Sequence, residues 1–113
     1  MSHLPREISG APSFPVSIHI AGDPHKAVTV CQRFCDEVGL CVTVKDALYV
    51  YTGGREPGVT VGLINYPRFP KTGFEITMLA IRLAYLLREE LSQESFAVET
   101  PTDSMWFSWR NTE

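Results

Sequence analysis

Two apolar periods alternate along this chain. A period-2 stretch gives way to a period-3.6 stretch, then to two period-2 stretches, a second period-3.6 stretch, and a closing β segment. Few folds accept that order. At 113 residues the chain matches one globular domain with a real core, so the pattern describes one unit.

Residues 1–13 carry two prolines, a glycine and no period, and read as a flexible arm. The single domain is expected over 14–110, with a short tail at 111–113. Val16, Ile18 and Ile20 alternate with Ser17 and His19, as in a strand with one wet face. Asp23 is a good N-cap and Pro24 a favoured first helical residue, so a helix is expected to run to about Val38 and stop at Gly39. Ala27, Cys31, Phe34, Cys35 and Val38 would form its buried stripe.

Side-chain parity reads Leu40 to Thr52 as one long, bulged strand, with Val42, Val44, Leu48 and Val50 on one face and Cys41, Thr43, Lys45, Tyr49 and Tyr51 on the other. A turn at Asp46-Ala47 would mix the faces and lacks the glycine a tight hairpin favours. The stretch from Gly53 to Gly58 reads as a loop, and Val59 to Asn65 as the returning strand. Thr72-Gly73-Phe74-Glu75 has capping-box spacing and opens a helix with Ile76, Leu79, Ala80, Leu83, Leu86 and Leu87 on its apolar stripe. Ser95 to Glu99 and Met105 to Trp109 close the chain as strands around a turn.

This order resembles the ferredoxin-like α+β arrangement, a β-α-β-β-α-β antiparallel sheet with two helices on one face, here with an additional C-terminal strand. The resemblance is one of element order and carries no family motif.

Charge narrows the partners. A net charge of −3 opposes a general affinity for nucleic acid or an anionic membrane. No stretch approaches the ~20 apolar residues of a membrane span, and the first ten residues lack a secretory h-region. Three closely spaced cysteines, Cys31, Cys35 and Cys41, suit a reducing compartment and match no common zinc spacing; a cytoplasmic protein without a cofactor or metal is expected.

Candidate sites come from topology. One end of the sheet would gather Asp23, His25, Lys26, Gly53, Gly54 and Arg55, where a helix N-terminus and a cation favour an anion. The other end would gather Tyr66, Arg68, Lys71, Thr72 and Gly73 for a phosphate or carboxylate. Neither is a Walker A loop. A Cys–His pair would require Cys41 to meet His19 across adjacent strands, and no catalytic residue is assigned.

The strongest surface signal is aromatic. His19, Tyr49, Tyr51, Trp106, Phe107 and Trp109 are expected to mark an uncovered sheet face or edge, and such rings concentrate binding energy at interfaces. The sequence therefore reads as a non-enzymatic interaction or regulatory domain of the immunity, phage-accessory or regulator type, a homodimer with an unidentified protein partner. The competing reading is a small-molecule or anion-binding domain with modest enzymatic activity.

Overall fold

In the computed structural model, which describes residues 3–110, β1 (Val16–Ala21), α1 (Pro24–Val38), β2 (Thr43–Tyr51), β3 (Gly54–Leu63), α2 (Gly73–Glu90), β4 (Ser95–Glu99) and β5 (Ser104–Ser108) follow in that order. The tail expected at 111–113 lies outside the described residues. All strand pairs are antiparallel, in the order β2-β3-β1-β4-β5, and the fold is the expected ferredoxin-like α+β arrangement with an extra C-terminal strand.

Both helices begin where local chemistry dictates. The Asp23 carboxylate accepts the His25 N–H, Pro24 occupies the first turn, and Gly39 ends α1 at φ 72°, a left-handed conformation that costs glycine little. At α2 the Thr72 hydroxyl accepts the Glu75 N–H while the Glu75 carboxylate accepts the Thr72 N–H. These caps satisfy N–H groups that would otherwise lack helical partners.

Val16, Ile18 and Ile20 of β1, Val59, Val61 and Leu63 of β3, and Phe96 and Val98 of β4 point to one side of the sheet. There they meet Ala27, Val30, Cys31 and Phe34 of α1 and Ile76, Ala80, Leu83, Ala84 and Leu87 of α2. In α1 the stripe takes Val30 rather than Cys35, which is only half-buried. At 100° per residue Cys35 stands about 80° from Ala27, at the margin of the buried arc. Its thiol still titrates above the ordinary value, through desolvation first and then the charge of Cys41.

The β2–β3 region departs from the sequence reading. Its register is regular from Thr43↔Gly62 to Tyr51↔Gly54, so the expected bulge is absent and the expected loop over Gly53 to Gly58 contracts to a two-residue turn at Thr52-Gly53. Gly53, at φ 90°, makes that turn possible. Pro57 joins the strand without loss because hydrogen-bonded and non-hydrogen-bonded pairs alternate. Counting from the turn puts Pro57 in a non-bonded pair, where its missing N–H faces away from β2 and its carbonyl accepts the Gly22 N–H at 2.9 Å.

Because β1 ends at Ala21, opposite Gly58, the pairs from Leu48↔Pro57 to Tyr51↔Gly54 overhang the sheet. Leu48 and Val50 are consequently 55% and 72% exposed, although they share a face with Val44, which packs on the core. Residues 3–10 of the N-terminal arm are exposed along their length. The arm is pinned at its root, where Asn65 Nδ2 donates to the Pro12 carbonyl and Phe14 packs against Gly73.

Candidate ligand trough on the open sheet face

Among the described residues no helix lies over the second face of the sheet. Strand parity places Thr43, Lys45, Ala47, Tyr49 and Tyr51 of β2 there, with Thr60, Gly58 and Glu56 of β3 opposite Lys45, Ala47 and Tyr49. His19 of β1 lies between Thr60 and Ala97, and Trp106 of β5 lies beside Ala97. Small side chains at Ala21, Ser95 and Ala97 lower the middle of this face. Tyr49, Tyr51 and Glu56 rise from the hairpin on one side, and Trp106 and Arg110 rise on the other.

The result is a trough of about 250 Å³, with Gln93 also in its lining. Its walls are anchored. Tyr49 donates its hydroxyl to the Val59 carbonyl at 2.6 Å and stands 3.4 Å from the Thr60 hydroxyl. Glu99 lies 3.0 Å from His19 Nε2 and holds that ring in place. The Tyr51 phenol titrates above its ordinary value, through desolvation first, then the Glu56 charge and a hydrogen bond to that carboxylate.

Chemically this is an aromatic and acidic surface. Tyr49, Tyr51 and Trp106 offer π faces to a planar base or to a cation, and Glu56 supplies negative charge beside them. Arg110 is 3.5 Å from Glu94, so its charge is partly engaged outside the trough. Among the described residues no group of His, Cys, Asp and Glu is arranged to hold a metal ion.

Four of the six aromatic-surface residues named from the sequence, His19, Tyr49, Tyr51 and Trp106, come together here. Phe107 and Trp109 do not. Phe107 pairs with buried Phe96, so parity turns it to the helix side, where the two rings stack at 4.9 Å. Tyr85 meets Phe96, Phe107 and Trp109 edge-on, and the Arg88 guanidinium lies 3.8 Å from the Trp109 ring centre.

The residues of the two anion sites are only partly brought together. Arg55 lies on the overhanging hairpin, three residues beyond the last β1–β3 pair, or ~10 Å at strand rise. The groove beside Asp23 is lined by Glu56 and Pro57, and neither His25 nor Arg55 lines it. At the opposite end the capping box uses the N–H groups of Thr72 and Glu75, and Gly73 is filled against by the Phe14 ring. Tyr66 Oη accepts from Cys41 Sγ at 3.2 Å, and the Lys71 N–H goes to Asn65 Oδ1. Tyr66 and Lys71 border a crevice of only about 10 Å³, and Tyr66 also lines a separate open groove with Arg68, Glu7 and Ser9, which Lys71 does not reach. Cys41 thus meets Tyr66, and His19 meets Glu99.

Glu56, Ser95, Ala97, Glu99 and Arg110 enter this region without having been singled out as site residues. Glu56 was assigned to a loop, where parity has no meaning; as a strand residue it necessarily shares a face with Gly58 and Thr60.

No protein-family model matches the chain, and no curated protein is similar to it. Two solved structures share its fold. A phage SAM lyase in the apo state superposes with a TM-score of 0.72 at 20% identity, covering 99% of this chain and 100% of that one. A phage SAM lyase in complex with S-methyl-5′-thioadenosine gives a TM-score of 0.63 at 17% identity, over 96% of this chain and 100% of that one. The whole chain therefore has the fold of an enzyme that binds a small molecule. This overturns the reading of a non-enzymatic protein-interaction or regulatory domain and favours the small-molecule alternative.

Proposed function

We propose that this chain is a small-molecule lyase that binds S-adenosylmethionine on its open sheet face and breaks one of its C–S bonds. The observation that carries this reading is the trough itself, which sets three aromatic rings beside a carboxylate on a fold shared from end to end with a SAM lyase. A sulfonium nucleoside combines a planar base with a permanent positive charge. Stacking on Trp106 or the tyrosines suits the base, and Glu56 with the neighbouring rings suits the sulfonium.

The thioether bound by the second lyase defines a reaction that balances. S-Methyl-5′-thioadenosine keeps the sulfur, its methyl group and the adenosyl group. The broken bond is then the one from sulfur to the four-carbon amino-acid portion, and its electron pair passes to sulfur. The substrate's carboxylate can supply the electrons that replace that bond, closing a lactone, so the protein's task is to fold the substrate and exclude water. Losing the sulfonium charge removes the attraction of Glu56, which favours product release.

At about 250 Å³ the trough is below the ~300–1,000 Å³ usual for ligand pockets. A second copy over the open face, the self-association read from the aromatic residues, would supply a roof. A cytoplasmic location fits a chain with three free thiols. Among the described residues no helix is long and apolar enough to cross a membrane.

The test is incubation of the purified chain with S-adenosylmethionine, followed by chromatography and mass spectrometry for S-methyl-5′-thioadenosine. Its appearance above the spontaneous rate, abolished by Tyr49→Ala with Trp106→Ala, supports the reading. Absence of turnover together with absence of calorimetric binding of either compound overturns it.

A further inference from the structure

We propose that the outer face of α2 is a second self-association surface, on which another copy of the chain packs its own α2 in antiparallel orientation. The helix carries two apolar stripes. Ile76, Ala80, Leu83, Ala84 and Leu87 are buried against the sheet and α1. Phe74, Met78, Ile81 and Tyr85 form the other, within an arc of about 60° centred about 145° from the first. Phe74 is 75% exposed and Met78 41%; Ile81 is half-buried against the chain's own core, and Tyr85, with one edge against Phe96, Phe107 and Trp109, keeps 45% of its surface exposed. A helix apolar on two sides is ordinarily covered on both.

The spacing of the second stripe specifies its occupant. Steps of four, three and four residues make a seam for one facing helix. An antiparallel copy aligned on a twofold axis sets Phe74 against Tyr85 of the second copy and Met78 against its Ile81, and symmetry repeats both layers. One flank of the seam carries Glu75, Arg82 and Glu89, seven residues apart and alternating in sign. In the same register Arg82 falls beside Glu75 of the second copy, twice over. Arg82 already lies 5.5 Å from the Phe34 ring centre, and Glu75 engages only Oε1 in the capping box, leaving its other oxygen for a partner. The opposite flank has the small, half-buried Thr77, which lets two helices approach at the usual ~8–10 Å. The outer positions of α1, by contrast, include Lys26, Thr29, Gln32, Arg33 and Asp36.

This surface is distinct from the trough, and its test is independent of catalysis. With Cys41→Ser as background, the double variant Phe74→Cys with Tyr85→Cys should form a covalent dimer under mild oxidation, and either single variant should form little. Within one helix the two positions are ~16 Å apart, too far for an internal disulfide. Sedimentation equilibrium of the full chain should show the mass halved by Phe74→Glu with Met78→Glu, with an unchanged circular dichroism spectrum, and association weakened about fivefold by Arg82→Glu. Failure of the double-cysteine variant to cross-link, or an unchanged mass for the glutamate variants, would overturn the proposal. Cross-linking of Phe74→Cys alone as efficiently as the pair would overturn the antiparallel register.

Discussion

Tyr49 lies across Gly58, its diagonal neighbour on β3: a Cβ built on Gly58 would stand 2.7 Å from Tyr49 Cε2 and 2.7 Å from Ala21 Cα, and would collide with the Ile20 carbonyl oxygen. The glycine thus lets an aromatic wall of the trough fold onto the sheet and lets β1 approach β3. Gly58→Ala is expected to destabilise the protein by roughly 1–3 kcal/mol, the usual cost of overpacking, and to displace Tyr49. Urea denaturation measures the first effect and calorimetry with S-methyl-5′-thioadenosine the second; an unaltered midpoint would show that the strands separate without cost.

The two tryptophans separate binding from stability. Trp106→Ala should weaken binding of S-methyl-5′-thioadenosine by roughly 5- to 150-fold, the worth of one lost aromatic stack (~1–3 kcal/mol), with little change in the urea midpoint. Trp109→Ala should do the reverse. It removes the ring beneath Arg88 and one member of the Tyr85, Phe96 and Phe107 cluster, for a loss of ~1–2 kcal/mol. Equal effects of both substitutions on ligand affinity would place the site elsewhere.

Charge should be read at Glu56. Glu56→Gln keeps the shape of the trough and removes the negative charge, so affinity for S-adenosylmethionine should fall about tenfold while affinity for the uncharged thioether changes little. Calorimetry with both compounds checks this. Parallel losses would assign Glu56 a structural role.

At α2, Thr72→Ala should cost ~1 kcal/mol, the typical worth of an N-cap hydroxyl. Glu75 adds a pH dependence, because hydrogen bonds from the Thr72 backbone and side chain hold its carboxyl below its ordinary value. A depressed folded-state pKa contributes stability above the unfolded-state value, and that contribution disappears as pH falls through the folded value. The stability difference between the wild type and Glu75→Gln should therefore be present near neutral pH and vanish in acid below the carboxylate range of ~4. Urea midpoints across that range test the sign.

The thiols should label in order of exposure. Cys31 is buried, and desolvation pushes its pKa up to about 11, so it should react with a thiol reagent only on unfolding. Cys41 is exposed and should react first, with half-buried Cys35 between them. Mass spectrometry of partially labelled protein gives the order, and early modification of Cys31 would contradict its place in the core.

The sequence by itself determined the elements whose causes are local. Asp23-Pro24 and Thr72-x-x-Glu75 begin helices because capping hydrogen bonds span two to three residues, and Val16, Ile18 and Ile20 form a strand face because side chains alternate every residue. Parity over Thr43 to Tyr51 likewise joined Tyr49 and Tyr51 on one face. Only the tertiary structure decided where β3 begins, because Pro57 is tolerated through its missing N–H facing away from β2, on the side where β1, a strand over thirty residues away, has already ended. It also decided that Glu56 and Trp106, fifty residues apart, share a trough, whereas Phe107, one residue from Trp106, joins the helix side. A site on a sheet face depends on the lateral register of five strands, and register is a long-range property fixed by packing against α1 and α2.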